Sequence, residues 1–280
     1  MKYFWMGFKK SKMGLAGLIL FLIFLFAAIM GPNIVKYDPL SFGEVVDKLK
    51  PPDKVHILGT DDLGRDVFSA LVAGSRISLS VGLLATVISM VLGTLVGLIS
   101  GYLGGKTDIL LMRLTDVFLV LPWLPLMLIL AALLGSGLWN IILVIGLTGW
   151  AGTARLVRAQ TLTIKERQFI ERAKAIGSSP THVIMRHILP NVFPIVFSNT
   201  ILITAASILS ETTLSFLGMG DSTKPSWGMM LHFAFESGAA TNKAYWYLIP
   251  PGVCVLLLVL SFTFMGYAFD EILNPKLRSR

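Results

Sequence analysis

The sequence predicts an all-α integral membrane protein with six transmembrane helices. Hydrophobic residues make up 54% of the 280 residues and charged residues only 14%, and the mean hydropathy is +0.74. Soluble domains carry about 25% charged residues, so lipid is the predicted solvent for most of the chain. Only helices and closed barrels satisfy the backbone in lipid, and the apolar runs lack the alternation of a barrel strand.

Intervals without charged residues locate the six spans. A spanning helix needs about 20 apolar residues. The four intervals of suitable length are 13–35, 77–105, 187–210 and 244–269. A further interval, 117–154, is too long for one helix. The stretch Leu134-Gly135-Ser136-Gly137 predicts a tight turn that divides it into two spans.

The distribution of Lys and Arg predicts the orientation. The N-terminal segment, the loop at 155–190 and the C-terminal segment lie on one side of a six-helix bundle and hold most of the basic residues. Since loops rich in Lys and Arg stay in the cytoplasm, both termini are predicted to be cytoplasmic. The net charge of +8 is therefore assigned to membrane topology. No basic groove with interleaved aromatic residues indicates nucleic-acid binding.

Three regions follow from these assignments. Residues 1–35 form a cytoplasmic N-terminus and the first transmembrane helix, whose apolar run is too long for a cleaved signal peptide. Residues 36–76 form an extracytoplasmic segment, in which Asp61 or Asp62 is predicted to cap a short helix along the outer surface. Residues 77–280 form the core, with five transmembrane helices and the cytoplasmic loop.

Small residues recur every four positions along the second predicted span. They are Ala85, Ser89, Gly93, Gly97 and Gly101. Such a row makes one smooth helix face that another backbone can approach closely. The pattern favours helix packing over a role in lining a pathway.

The loop at 155–190 is the longest water-compatible stretch on the predicted cytoplasmic side. Helical spacing predicts a helix over 165–176, with one apolar face. The residues of that face are Phe169, Ile170, Ala173 and Ile176. Gly177 is predicted to end this helix in a left-handed conformation.

A second short helix is predicted to follow. Ser178 or Ser179 caps it, Pro180 suits its first turn, and Pro190 with Pro194 interrupts or kinks the start of the fifth span. Its apolar residues are Val183, Ile184, Ile188 and Leu189. The pattern alone fits two uses equally, an amphipathic loop that rests on the membrane and a docking element for a partner.

A family resemblance separates these two uses. The stretch Glu171-Arg172-Ala173-Lys174-Ala175-Ile176-Gly177, followed by His187-Ile188-Leu189-Pro190, resembles the EAA loop of ABC-importer permeases. Arg172 and His187 depart from that motif. The stretches at 58–66, 211–218, 225–228 and 274–277 resemble the C-type permease of the dipeptide, oligopeptide and nickel branch. These stretches occur in the right order, and the resemblance extends over nearly the whole chain.

The resemblance implies an ABC type I importer permease in the cytoplasmic membrane of a prokaryote. Such a permease translocates di- or oligopeptides or similar small solutes. The implied partners are a second homologous permease, two ABC ATPase subunits and an extracytoplasmic substrate-binding protein. The chain is expected to be no enzyme and to bind no cofactor or metal, since ATP and magnesium would bind to the ATPase subunits.

The same resemblance assigns candidate site residues. Those of the ATPase-coupling loop are Glu171, Ala173, Ala175, Gly177, Ser178, Pro180, His187, Leu189 and Pro190. Glu171 is expected to contact the ATPase by charge. Candidates for the translocation path are Glu211, Ser207 and Asp116. Glu211 and Asp116 are candidates because charged groups in spans usually face the bundle interior. A solvated interfacial carboxylate is the favoured alternative for Glu211, and an ion pair with Arg113 is favoured for Asp116.

Two other patterns could indicate a binding site, and neither is supported by its context. The stretch 100–107 resembles a phosphate-binding loop, but it lacks the first glycine and follows a membrane helix. His182 and His187 are five residues apart, which predicts different helix faces, and no zinc spacing is present. Two rival functions stay open. An ion-coupled secondary transporter would need buried ionisable relays and inverted halves, and a membrane scaffold would need no pathway.

Overall fold

The computed structural model describes residues 8–39, 41, 43 and 45–273, so the stretch at 274–277 lies outside the described residues. The described chain is helical, with one isolated antiparallel bridge between Thr60 and Asp66. The α-helices are α1 (Lys12–Ile34), α2 (Val67–Leu103), α3 (Gly105–Val120), α4 (Trp123–Leu134), α5 (Leu138–Lys165), α6 (Gln168–Ala175), α7 (Pro180–Val183), α8 (Leu189–Leu214), α9 (Trp227–Glu236) and α10 (Tyr245–Leu273).

The membrane-spanning helices agree with the predicted class. Within the described part, five helical stretches are long and apolar enough to cross a membrane, and a sixth span arises if α3 and α4 count as one bent unit. The five stretches are Lys12–Gly31, Val67–Leu103, Leu138–Lys165, Pro180–Met219 and Tyr245–Ile272. The prediction of an all-α membrane protein is confirmed.

The third span differs from the prediction. It starts at Gly105, well before the charge-free interval, and α3 and α4 meet at a 94° bend. Leu121 at the bend is extended, with φ −64° and ψ 133°. Pro122 explains the break, since proline disfavours helical geometry in the residue before it and donates no backbone hydrogen bond. The predicted turn before α5 is confirmed, and Gly135 there has φ +81°.

Helix α2 begins without the separate surface helix that the sequence predicted. Asp66 caps it by accepting a hydrogen bond from Ser69 N at 2.8 Å, and the helix then continues for 37 residues. The predicted caps lie elsewhere. Asp61 accepts hydrogen bonds from Leu63 N and Arg65 N, both at 2.8 Å, and so stabilises its own loop.

Helices α2 and α5 are packed with their backbones close together. A Cβ atom added to Gly93 would lie 2.6 Å from the carbonyl oxygen of Trp150, and one on Gly97 would lie 2.6 Å from that of Ala154. Ser89 Oγ donates to the carbonyl oxygen of Gly146 at 2.9 Å. The row of small residues is therefore a packing face, as predicted, and α2 is the central helix of the bundle.

The remaining helices surround α2. Helix α1 packs on α2 and α10, and α8 packs on α2, α5 and α10. At the end of the bundle where α2 begins, the segment before it is fastened to α10. Trp246 Nε1 donates to Thr60 O at 3.2 Å, and the Tyr247 hydroxyl donates to Asp62 Oδ1 at 3.2 Å. The loop that contains α6 lies at the opposite end of α2.

Candidate functional site

The first helix of the loop is shorter than predicted. Helix α5 ends at Lys165, and α6 covers Gln168–Ala175 instead of 165–176. Gly177 has φ +82°, its N–H donates to Lys174 O at 2.9 Å, and Ser178 N donates to Ala173 O at 3.1 Å. These bonds satisfy the carbonyl groups at the end of α6. The prediction that Gly177 ends the helix in a left-handed conformation is confirmed.

The second helix begins as predicted but continues differently. Ser179 Oγ accepts a hydrogen bond from His182 N at 3.3 Å, and Pro180 is the first helical residue. The helical path then passes through a π-helical turn, Ile184–Ile188, into α8.

Neither Pro190 nor Pro194 interrupts this path, which stays helical from Pro180 until Gly218, where φ is +84°. The sequence predicted that these prolines interrupt or kink the start of the fifth span. The interruption is wrong, and the irregularity at this point is the π-helical turn Ile184–Ile188. A proline ring clashes with the carbonyl group four residues earlier in an α-helix. The wider π turn directly before Pro190 relieves that conflict.

The inner face of the loop is fastened to the bundle. Ile170, Ala173, Val183 and Ile188 are buried. They form one apolar cluster with residues of α2 and α5, which are Leu98, Tyr102, Val157 and Ile164. A movement of α6 and α7 is therefore coupled through direct packing to the two central helices.

The outer face of the loop carries exposed apolar side chains. Ile176 is 84% exposed, Met185 58% and Phe169 38%. The sequence predicted one apolar face with Phe169, Ile170, Ala173 and Ile176, but only Ile170 and Ala173 of these four are buried. Helix α6 ends at Ala175, so the chain turns at Ile176 and directs that side chain away from the bundle.

The other predicted loop residues are divided between the two faces. Glu171, Ala175, Gly177, Pro180 and Pro190 are exposed. Ser178, His187 and Leu189 are partly buried. The loop thus combines a fixed inner face with an outer face on which polar and apolar groups alternate.

Two histidines of the loop lie close together, although the sequence predicted separate faces. The ring centroids of His182 and His187 are 5.7 Å apart, and that of Phe169 lies 6.3 Å from His187. The prediction assumed α-helical geometry. The π turn between the histidines has more residues per turn, which brings positions five apart closer to one face. Within the described chain, no group of three or more His, Cys, Asp or Glu side chains is placed to hold a metal ion.

Tyr102 is a second contact that sequence analysis missed. The ammonium groups of Lys165 and Lys174 lie 5.7 Å and 5.6 Å from the centre of its ring. Cation–π contacts of this kind contribute about 0.5–1 kcal/mol at exposed sites. They connect the end of α5 at Lys165, and α6 at Lys174, to the last turn of α2.

Glu211 is buried, not solvated as the favoured alternative expected. Its side chain is 1% exposed. Ser78 Oγ donates to Oε2 at 3.2 Å, and Ser215 Oγ donates to Oε1 at 2.9 Å. Ser207, one helical turn before it, accepts a hydrogen bond from Thr86 Oγ1 at 3.2 Å. Both residues therefore lie in the α2–α8 interface.

Asp116 is separate from that pair. It accepts a hydrogen bond from Arg155 Nη2 at 2.7 Å, so the predicted pairing with Arg113 is wrong. The two sites lie at different levels along α2. Arg155 follows Ala154, which contacts Gly97 of α2. Glu211 contacts Ser78, near the other end of α2. At 1.5 Å per residue these levels are more than about 20 Å apart.

Comparisons with known proteins give the family. Residues 93–279 match the family described as binding-protein-dependent transport system inner membrane component. Residues 1–52 match the N-terminal TM domain of oligopeptide transport permease C.

Relatives align over nearly the full length. The dipeptide transport system permease protein of Bacillus subtilis is 34% identical over 98% of this chain and 85% of its own length. The oligopeptide transport system permease protein of the same species is 34% identical, over 97% and 88%. The glutathione transport system permease protein of Escherichia coli is 35% identical, over 98% and 90%. The chain belongs to the family of binding-protein-dependent inner-membrane transport components and is a multi-pass permease subunit of a bacterial ABC importer.

Proposed function

We propose that this permease translocates di- or oligopeptides, or solutes of similar size, and that separate ATPase subunits drive it through the loop at 155–190. One observation carries the coupling role. The loop has an inner face buried against α2 and α5 and an outer face with exposed apolar side chains, Ile176 above all.

The physical argument concerns force transmission. A docking element must be rigidly connected to what it moves, and Ile170, Ala173, Val183 and Ile188 provide that connection through packing. It must also present surface that gains free energy when a partner covers it. Ile176, Met185 and Phe169 present such surface beside Glu171 and several basic residues.

The proposed assembly follows the family. It contains this chain, a second homologous permease, two ATPase subunits and an extracytoplasmic binding protein. Both termini and the loop lie in the cytoplasm, in line with the distribution of Lys and Arg. The chain contributes no nucleotide site of its own, and ATP with magnesium is bound by the ATPase subunits.

The proposed substrate class rests on the relatives, whose names specify dipeptides, oligopeptides and glutathione. All three are peptides or peptide-like, with amide groups and charged ends. Glu211 and Ser207 remain our candidates for contact with the pathway, since both face α2 from α8. Asp116 is a weaker candidate, because Arg155 pairs with it.

Reconstitution tests the proposal. The permease pair, the ATPases and the binding protein are placed in vesicles, and uptake of a labelled dipeptide is measured with ATP or with an ion gradient alone. We expect uptake only with ATP and the complete set of subunits. Uptake driven by an ion gradient would support a secondary transporter, and the absence of any uptake with a peptide bound to the binding protein would support a scaffold.

A substitution at the outer face tests the docking surface directly. Ile176→Asp should weaken co-purification of the ATPase subunits while the permease still inserts, because the exposed side chain makes little contact within the chain. Val46→Asp is the matched control, since Val46 is equally exposed, at 87%, in the segment before α2. Equal ATPase association in both variants would contradict a docking role for this face.

A further inference from the structure

An arginine, Arg76, lies in an apolar groove between α1 and α2. The groove has a volume of about 340 Å³ and is lined by Leu25, Ala28, Ile29, Arg76, Leu79, Ser80 and Leu83. The Arg76 side chain is exposed. Arg76 forms no ion pair or hydrogen bond with any residue that the structure describes. The side chains that line the groove around it are mostly aliphatic.

The height of Arg76 in the membrane follows from α1. The apolar stretch of α1, Lys12–Gly31, has 20 residues and is therefore about 30 Å long, which equals the thickness of the hydrocarbon core. Gly31 thus marks one boundary of that core. A Cβ atom on Gly31 would lie 2.7 Å from Val72 Cγ1, so Val72 of α2 is at the same height.

Arg76 lies one helical turn beyond Val72, about 6 Å further toward the centre of the membrane. Its long side chain can reach back to the headgroup level, as Lys and Arg side chains near the ends of spans do. The groove continues below it along Leu79 and Leu83 on α2 and Leu25 on α1. A cationic group is therefore placed above an aliphatic groove with exposed edges at Ile29 and Leu83.

We propose that Arg76 and this groove bind one acidic phospholipid. The guanidinium group pairs with the phosphate in the charge-assisted geometry that arginine favours, and an acyl chain occupies the groove between α1 and α2. A charged side chain at this depth is costly without a partner of opposite charge, and a lipid phosphate supplies that charge together with a matching apolar tail. The site depends only on membrane embedding, and not on the proposed substrate or docking loop.

Lipid retention tests the proposal. The full-length chain is reconstituted in nanodiscs of phosphatidylcholine with a small fraction of phosphatidylglycerol, then transferred to detergent, and the retained lipids are counted by native mass spectrometry. We expect the wild-type chain to retain one phosphatidylglycerol preferentially. Arg76→Gln should lower that retention by about tenfold, as loss of one charge-assisted hydrogen-bonded pair predicts, and Arg76→Lys should restore part of it.

Two further variants separate the headgroup from the tail. Lys54→Gln removes an exposed basic residue from the polar segment before α2 and should leave retention unchanged. Ile29→Trp keeps the charge of Arg76 but fills the groove from an exposed position, so it should also reduce retention. Because the three substituted side chains, Arg76, Lys54 and Ile29, are exposed, the melting temperatures of the four variants should stay close to that of the wild type.

Three results would overturn the lipid site. The first is equal phosphatidylglycerol retention in the wild type and Arg76→Gln. The second is displacement of the lipid by millimolar inorganic phosphate together with no effect of Ile29→Trp, which would indicate a site for free phosphate. The third, measured on the two permeases expressed together, is loss of the second permease in Arg76→Gln, which would show that an acidic group of that subunit pairs with Arg76.

Discussion

Arg158 of α5 donates two hydrogen bonds to Asp108 of α3, from Nε to Oδ1 and from Nη2 to Oδ2, both at 2.6 Å. Ser100 of α2 also donates to Asp108 through its hydroxyl group. Three helices therefore meet at one carboxylate beside the last turns of α2. This arrangement allows the charged helix α3 to form part of the bundle.

The first prediction concerns this ion pair. Arg158→Lys should lower the free energy of unfolding by about 1–2 kcal/mol, because lysine cannot form the two parallel hydrogen bonds. Denaturant unfolding of the purified permease in detergent would measure the change. Asp116→Asn is the control. It removes the more exposed pair with Arg155, and pairs of that kind contribute no more than about 1 kcal/mol. A larger loss in the control than in Arg158→Lys would contradict this ranking.

The second prediction concerns the turn after α6. Gly177 has φ +82° and open space around its Cα, so a substitution there strains only the backbone. Gly177→Val should abolish ATP-driven uptake while insertion persists, because a β-branched residue resists positive φ. Gly177→Asn should retain uptake, since asparagine adopts this conformation more readily.

Gly135→Val is the matched control for backbone strain. Gly135 has φ +81° with equally open surroundings, but it lies in the turn between α4 and α5. Both valine variants should lose a similar amount of stability, whereas only Gly177→Val should uncouple ATP hydrolysis from uptake. Full uptake in Gly177→Val would remove the coupling role of this turn.

The third prediction compares two glycines of the central helix pair. Gly97→Ala should destabilise the permease by about 1–3 kcal/mol, because the new methyl group would lie 2.6 Å from Ala154 O and Val157 Cβ. Gly152→Ala on α5 should be neutral or stabilising by about 0.5–1 kcal/mol, since nothing lies within 4 Å and alanine favours a helix. Thermal unfolding should therefore shift in opposite directions for the two variants.

The fourth prediction concerns pH and the segment before α2. Burial and the neighbouring Asp61 raise the pKa of the Asp62 carboxyl group above its ordinary value. A raised pKa means that the folded state favours the protonated form, so this group contributes stability at low pH that is lost as the pH rises through its pKa range. Asp62→Asn should thus raise the melting temperature at neutral pH, and the gain should shrink as the buffer approaches about pH 4.

Asp61→Asn is the control for that measurement. Asp61 accepts hydrogen bonds from Leu63 N, Arg65 N and Arg65 Nε, the last at 2.6 Å. These bonds use both carboxylate oxygens of Asp61, and the amide nitrogen of asparagine cannot accept a hydrogen bond. Asp61→Asn should therefore lower the melting temperature. A loss of stability in Asp62→Asn at neutral pH would show that the carboxylate there is favourably paired.

The fifth prediction concerns the buried carboxylate of α8. Glu211→Gln keeps the shape of the side chain but removes an acceptor that Ser78 and Ser215 use. If Glu211 also meets the substrate, peptide uptake should fall several-fold while the ATPase subunits still co-purify. Ser207→Ala, one turn away, provides a smaller change in the same interface. Wild-type uptake in Glu211→Gln would leave the residue a purely structural link between α2 and α8.

Several local features could be predicted because they depend on neighbouring residues. The glycine row of α2, the end of α6 at Gly177 and the start of α7 at Pro180 follow from backbone geometry and side-chain size. The apolar face with Ile170, Ala173, Val183 and Ile188 follows from helical spacing. The start of α3 could not be predicted from charge-free intervals, because α3 contains Asp108 and Asp116. These charges are compensated by Arg158 and Arg155, which lie about 40–50 positions later in the chain.

The sequence by itself determined the membrane class, the positions of the apolar helices and the family, because these depend on composition, local spacing and ordered motifs. Only the tertiary structure decided which groups meet. It buried Glu211 against Ser78, turned Ile176 outward, brought His182 beside His187 through a π turn and left Arg76 unpaired among the described residues. The physical reason is that burial and pairing depend on contacts between helices far apart in the chain, which local spacing does not specify.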